Sequence, residues 1–416
     1  MSRTLIVGVQ VFDGHVDDLS GPTNVLVDDN VISAIDAALK PADEVTVVDG
    51  EGGVLTPGMI DNHWHALFAT LAQADLLSGD LNFVQLVAAQ ANRAALLRGF
   101  TTTRDVGGNV FGLKRATDLG VVDGPRIYPS GPFISQTSGH GDFRGPYEVP
   151  THPCGALDYF STAGMTLMAD GVPQVLLRCR EALRMGATQL KVMAGGGVSS
   201  LYDPLDTRQY TFEEMAAAVD VARSWNTYVA VHAMNDASVQ MCLDAGVLSI
   251  EHGFLLSEET LQMMADKGAW LSIQPILDDE DAIPFPDPVS RAKFVEATNG
   301  TERVYRTAKE LGMKIAFGTD TLFDAGLAEK QGKLVTKLGN WFTPGEALKM
   351  VTHDNAQLLK LCGPRDPYPG KLGVVEVGAL ADLLIWDGNP LADLSLIADP
   401  QTNLRMVMKD GQLYKS

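Results

Sequence analysis

From Val54 to Leu361 the chain alternates short apolar runs with longer stretches whose apolar residues recur at spacings of three and four. That is the rhythm of strands followed by amphipathic helices in a parallel β/α architecture. Eight runs read as strands: Val54–Ile60, Phe100–Val106, Arg126–Gly131, Thr188–Met193, Tyr228–His232, Leu248–His252, Trp270–Gln274 and Lys314–Gly318. Eight is the number that closes a barrel. Helical stretches between them are Phe83–Leu97, Val172–Met185, Thr211–Ser224, Ser238–Ala245, Glu258–Lys267 and Ala292–Leu311. The two ends have a different texture. Thr4–Val11, Asn24–Val31 and Glu44–Val48 read as short strands parted by Asp-Gly and polar turns, and Val374–Trp386 and Leu404–Tyr414, the latter with a Lys409-Asp-Gly411 turn, repeat that pattern. Two β-rich ends around a different middle predict one small domain assembled from both termini.

Composition narrows the function classes. At 416 residues the chain is too long for one average core, and two domains are expected. An apolar share of 45% and a charged share of 20% describe a globular protein. A formal charge of −20 opposes binding to nucleic acid or to an anionic membrane, both of which need a cationic face. No run of about eighteen apolar residues is present to span a bilayer. The opening Met-Ser-Arg-Thr-Leu-Ile-Val-Gly enters a strand pattern without the apolar run and cleavage site of a signal peptide. The expected location is the cytoplasm, or outside the cell if the chain is a mature form. Cys154, Cys179, Cys242 and Cys362 are widely spaced and form no Cys-x-x-Cys pair, so they are expected to stay reduced and structural.

In a barrel of this kind the chemistry sits at the carboxyl ends of the strands. Val54–Ile60, held at Pro57-Gly58, delivers His63 and His65, which alternate residues of a strand aim the same way. Alone, His-x-His is a weak sign of metal binding. Lys191 lies in the fourth strand, His232 ends the fifth, His252 ends the sixth in Ser249-Ile-Glu-His-Gly253, and Asp320 ends the eighth in Ala316-Phe-Gly-Thr-Asp320. Six candidate ligands at the same ends of five strands outweigh the bland readings: a buried lysine, two core histidines, and an aspartate capping the next helix.

This constellation resembles the amidohydrolase superfamily, in its binuclear branch with a carboxylated lysine. The resemblance rests on Pro57-Gly-Met-Ile-Asp-Asn-His-Trp-His65, the Lys191 strand, the two single histidines, Gly318-Thr-Asp320 and the closing Gly378-Ala-Leu-Ala-Asp-Leu383. It implies an α/β fold: a (β/α)8 TIM-like barrel over residues 56–363 with a small composite β-sandwich domain made of residues 1–55 and 364–416. The loop Ser135-Gln-Thr-Ser-Gly-His-Gly-Asp142 is similar to the imidazolonepropionase-related group, which includes metal-dependent prolidases, Xaa-Arg/Lys dipeptidases and ochratoxin-hydrolysing amidases. Asn62 and Trp64 depart from the small or apolar residues often found beside the first two histidines.

The resemblance implies two divalent cations, zinc first among them, with His63, His65 and Asp320 on one, His232 and His252 on the other, and Lys191, carboxylated by carbon dioxide to N6-carboxylysine, on both. A hydroxide between the metals would attack an amide joining an acyl group to a C-terminal amino acid, as in dipeptides, N-acyl amino acids and ochratoxin-like aryl amides. Asp320 would move the proton from the attacking water to the departing amine. His140 would stabilise the oxyanion, with Tyr228 as a second polar contact and Arg144 as a further candidate for the terminal carboxylate. Val198-Ser-Ser-Leu-Tyr202 and Phe323-Asp-Ala325 are expected to line the pocket, and relatives imply a homo-oligomer, octamers included. A cyclic-amide hydrolase such as an imidazolonepropionase shares the barrel and many ligands. A mononuclear deaminase is opposed by Lys191, and a non-catalytic barrel scaffold by the full ligand set. Gly195-Gly-Gly197 lacks the Gly-Lys-Ser/Thr continuation of a phosphate loop and is expected to let backbone approach a ligand. His15, His152 and His353 fall off the metal face.

Overall fold

The computed structural model describes residues 2–145, 147–150, 157–285 and 287–416. Strands β1 (Arg3–Val11), β2 (Thr23–Asp28), β3 (Val31–Ile35), β4 (Thr46–Asp49) and β5 (Val54–Pro57) come first, and β16 (Leu383–Trp386), β17 (Leu404–Lys409) and β18 (Gln412–Lys415) come last. Together they form one mixed sheet in the order β18-β17-β16-β5-β1-β2-β3, with β4 beside β1. Its core is an aliphatic cluster that draws Ile6, Val25 and Leu55 from the amino end and Leu383, Ile385 and Met406 from the carboxyl end.

Between these ends lies the barrel. Its strands are β6 (Met59–Trp64), β7 (Phe100–Asp105), β8 (Arg126–Pro129), β9 (Phe133–Ser135), β11 (Leu190–Met193), β12 (Val229–Ala233), β13 (Ser249–His252), β14 (Trp270–Ile273) and β15 (Lys314–Phe317), while β10 (Thr166–Met168) pairs outside it with β9. β8 pairs with β7 and β9 with β11, all in parallel, so these two short runs are halves of the third barrel strand, interrupted at 130–132. Nearly every barrel-strand residue is buried, as both faces of a parallel sheet require. The ring closes where β15 meets β6: Asp320 N–H donates to His63 C=O at 2.9 Å.

Helix boundaries follow local chemistry. Val172–Met185 starts on Pro173 and stops at Gly186 in the left-handed conformation; Glu258–Lys267 starts on the Ser257 hydroxyl and stops at left-handed Gly268. Both match their expected limits. Four expectations are corrected. Val54–Ile60 is two strands in two sheets, because the chain crosses at Gly58, where an added Cβ would lie 2.1 Å from Thr101 Oγ1. Asn24–Val31 is a hairpin turning at Asp29, whose φ is +52°. Val374–Trp386 is a strand only from Leu383, since a turn returns Ala379 N–H to Glu376 C=O. Ala292–Leu311 is two helices, Pro288–Thr298 and Thr301–Glu310; at Gly300 the chain lies so close to Phe254 C=O that any Cβ would overlap it.

The β6–β15 seam is held by Asp61. Its buried carboxylate accepts from His63 N–H (3.1 Å), Thr319 N–H (3.0 Å), Thr319 Oγ1 (2.6 Å) and Gln331 Nε2 (2.9 Å). Asp61→Ala strands these donors, and we expect a loss of roughly 3–5 kcal/mol in chemical denaturation. A loss below about 1 kcal/mol would show that the seam does not depend on it.

Candidate active site

The carboxyl ends of the barrel strands open into a cavity with His63, His65, Lys191, His232, His252 and Asp320 on its floor. Local backbone puts them there. His252 and Asp320 both have positive φ, +75° and +49°, which ends the strand alternation and turns their side chains inward. Gly318 has no room for a side chain, since a Cβ would sit 2.3 Å from that of His63.

The imidazoles are held from behind. His63 Nδ1 lies 2.8 Å from Glu251 Oε2, His252 Nδ1 lies 2.8 Å from Gln274 Oε1, and His232 Nε2 lies 3.0 Å from Gly196 C=O. One ring nitrogen of each is thus committed to a fixed acceptor and the other is left for the cavity, the usual arrangement behind metal-binding histidines. His65 is buried, and its Nδ1 has no hydrogen-bond partner. Asp320 lies amid the rings, with Oδ1 3.5 Å from His63 Nε2 and 3.4 Å from His65 Nε2, and Oδ2 3.8 Å from His252 Nδ1. The tightest donor group is His63, His252 and Asp320. It cuts across the two ligand sets into which the resemblance divides these residues.

Lys191 Nζ is 3.5 Å from His63 Nε2 and forms no ion pair within 4 Å with any described carboxylate. Burial pulls its pKa down to about 8, against the opposing pull of Glu251 and Asp320. A lysine so placed has a larger neutral fraction than an exposed one, the form needed to react with carbon dioxide. Burial lowers His252 to about 4, while Asp320, which burial alone would raise, is held well below the carboxylate range by His63, His65 and His252. Neutral imidazoles beside an ionised carboxylate are the protonation states that ligate a divalent cation. The residues present therefore fit such ions.

His140 stacks on His232 with ring centroids 4.0 Å apart. Its Nδ1 lies 2.6 Å from Ser200 Oγ and 3.1 Å from Asp203 Oδ2, so Nε2 is the nitrogen left for a ligand. Gly197 permits this approach, because a Cβ there would fall 2.2 Å from the His140 ring, and Gly196 is packed against Pro204 C=O. The glycine run thus makes room for protein. Val198, Ser199 and Phe323 line the cavity. Tyr202 does not; its side chain is exposed.

Two expected substrate contacts are corrected. Tyr228 does not line the cavity: it precedes β12, is buried among Ile60, Tyr128 and Ala230, and its hydroxyl accepts from Arg104 Nη1 at 3.2 Å. Arg144 is spent within its own loop, on Asp142 and on Glu148 C=O, and also lies outside the cavity. Asn62 and Trp64 point away from the site, to Asn355 C=O and Asn92 Oδ1. His15 and His353 pack against each other with tilted rings, and Cys179, Cys242 and Cys362 are buried free thiols; His152 and Cys154 lie outside the described residues. Sequence reasoning missed Glu251 and Arg104. The available signal was a charged residue inside each of two otherwise uncharged strand stretches, 100–103 before Arg104 and Ser249-Ile250 before Glu251.

The rest of the cavity is apolar, with Phe68, Phe133, Phe160, Phe254, Phe294 and Phe323 on its walls. The segment after β14 supplies Ile276, Ile283 and Phe285. Ion pairs hold that segment down: Asp281 meets Lys330 at 3.1 Å and Lys333 at 2.8 Å, and Asp279 meets Lys337 at 2.7 Å.

Comparison with known proteins gives one consistent result. A model of the amidohydrolase family matches residues 54–414. The ochratoxinase of Aspergillus niger is 32% identical over 376 residues, covering 87% of this chain and 76% of its own. Among solved structures, a prolidase complexed with N-methylphosphonate-L-proline superposes with a TM-score of 0.91 at 33% identity, covering the whole of both chains. A Xaa-Pro dipeptidase with bound methionine superposes with a TM-score of 0.85 at 29% identity, also covering both.

The ion pairs make the wall segment sensitive to charge. In Asp279→Asn/Asp281→Asn, amide hydrogen exchange across 276–285 should rise at least several-fold, with the barrel strands unchanged. Unchanged exchange in that segment would mean that apolar packing alone holds it.

Proposed function

We propose that this chain, which belongs to the amidohydrolase family, cuts the amide bond between an acyl group and a C-terminal amino acid, using two divalent cations. Its substrate class comprises dipeptides, N-acyl amino acids and ochratoxin-like aryl amides. The observation that carries this reading is the convergence of four imidazoles, Lys191 and Asp320 on the floor of one cavity whose walls are otherwise apolar. Support also comes from the printed functions of the similar proteins, an ochratoxinase, a prolidase and a Xaa-Pro dipeptidase.

In this reading His63, His65 and Asp320 hold one cation and His232 and His252 the other, zinc being favoured by the nitrogen-rich donor set. Lys191 would carry carbon dioxide as a carbamate, its neutral nitrogen forming the new N–C bond and releasing a proton, and would so serve as a ligand to both ions. When bound, the cations lower the pKa of water and polarise the scissile carbonyl.

The chain's own residues do the rest. Asp320 accepts the proton of the attacking water and returns it to the departing amine nitrogen, so the amine leaves neutral. His140, fixed at Nδ1 by Ser200 and Asp203, offers Nε2 to the oxygen on which negative charge develops. The phenylalanine walls take up apolar groups flanking the bond and exclude water from it.

Three measurements test this. Lys191→Ala should lose bound metal and nearly all amide turnover; metal content and activity within a few-fold of wild type would remove the lysine from the mechanism. His140→Ala should lower kcat roughly 10²–10³-fold with metal content intact, whereas Tyr228→Phe and Arg144→Ala should change kcat/KM less than about five-fold. Across a panel of N-acyl amino acids, a phenylalanine or leucine leaving group should exceed aspartate or lysine in kcat/KM by roughly 10–100-fold, the value of burying one large apolar side chain. A preference for charged leaving groups would overturn the substrate class.

A further inference from the structure

We infer that Glu251 is a positioning residue, which from beneath the cavity fixes the ring of His63 and hence the affinity for the cation that His63 holds, with Arg104 as its clamp. The inference rests on the two-metal reading above.

Glu251 and Arg104 are both fully buried. The carboxylate has a complete set of partners on one side: Arg104 Nη2 lies 2.8 Å from each of its oxygens, and Ser249 Oγ donates to Oε1 at 2.7 Å. Arg104 is fixed in turn, donating from Nε to Asn62 C=O at 2.7 Å, from Nη1 to Tyr228 Oη and Ser249 Oγ at 3.2 Å each, and from Nη2 to Ser272 Oγ at 3.1 Å. Five strands or strand ends are thereby tied to one guanidinium and its carboxylate. What remains of Glu251 is a single lone pair on Oε2, aimed at His63 Nδ1 at 2.8 Å.

An ionised carboxylate only accepts hydrogen bonds. Arg104, hard against both oxygens, favours that ionised form, so Nδ1 of His63 must carry the ring proton. Nε2 then presents its lone pair to the cavity, where Asp320 Oδ1 and Lys191 Nζ both lie 3.5 Å away. Among the described residues His63 Nδ1 has no other acceptor. With the carboxylate removed, the ring would be free to carry its proton on Nε2, facing a cation with a hydrogen instead of a lone pair.

Stability alone does not account for the pair. Apolar side chains of like volume generally serve a core as well as a buried ion pair does, or better, whereas deleting one partner is costly. That asymmetry separates the two roles experimentally, because Arg104→Met/Glu251→Leu removes both charges together.

The experiment is zinc binding by the full-length, metal-stripped chain, titrated in competition with a chromophoric chelator, with thermal melts of the same samples. For a folded double variant we expect zinc affinity to fall roughly 10–100-fold at the tighter site, with a melting temperature within a few degrees of wild type. Glu251→Gln, which keeps the shape but places an amide N–H₂ against either Arg104 or His63, should show the same loss. Zinc affinity within three-fold of wild type in the folded double variant overturns the inference, as does a fall in melting temperature without a fall in affinity. Should the double variant not fold, Glu251→Gln decides by the same thresholds. Absence of zinc binding by the wild type would instead overturn the two-metal reading itself.

Discussion

The structure depends on one constraint: a lysine, an aspartate and four histidines share a largely buried floor, and three of the imidazoles are anchored on the side away from the cavity. Isolated charges in such a place cost several kcal/mol each. The anchors are one backbone carbonyl, Gly196, one side-chain amide, Gln274, and one buried ion pair, Arg104–Glu251; the ion pair comes from the strands and the other two from the chain just beyond β11 and β14. The barrel thus serves as a set of fixed acceptors behind a ring of ligands. Its eightfold closure matters because the first and last ligand-bearing strands, β6 and β15, must meet. They meet through Asp61, two residues from His63, whose carboxylate binds Thr319, the neighbour of Asp320.

Backbone strain is part of the same solution. A strand sends successive side chains to opposite faces, and Glu251 and His252 are adjacent, yet both serve the site. Glu251 occupies the inward position proper to its strand. His252 reaches the same region only because its φ of +75° breaks the alternation. Asp320 does the same at the end of β15, immediately beyond Gly318-Thr319. Such conformations cost of order 1–3 kcal/mol each and persist where surrounding contacts over-determine them. Here those contacts are Gln274 behind His252 and three imidazoles around Asp320.

Much of this was legible in the sequence, and what was not has a physical reason. Strand–helix alternation and capping residues are local signals, so the barrel strands and helices such as Val172–Met185 could be read directly. The six ligands could be placed because the architecture puts them at one end of the strands. Tyr228 misled because the resemblance implies a substrate contact there, while its hydroxyl meets Arg104 instead. Four residues along a strand span more than 10 Å, enough to move a side chain from the cavity to the layer beneath it. Arg144 misled because Asp142, two residues away, was an unrecognised competitor for its guanidinium. The divided Ala292–Leu311 helix depended on Phe254, a contact from a different part of the chain. Arg104 and Glu251 are separated by 147 residues, and nothing local pairs them.

The apolar walls and the polar floor also constrain each other. Ion pairs and hydrogen bonds on the floor strengthen as water is excluded, and the phenylalanines that exclude it come mostly from loops, helices and the segment after β14, with Phe133 of β9 the one on a barrel strand. That segment is fastened by Asp279 and Asp281 to lysines on the helical stretch beyond β15, in pairs that are only partly buried. The fully buried pair, Arg104–Glu251, therefore lies beneath the ligands, where geometry must not change, and the partly exposed lysine pairs lie on the wall segment, a division that follows from where each charge sits relative to water.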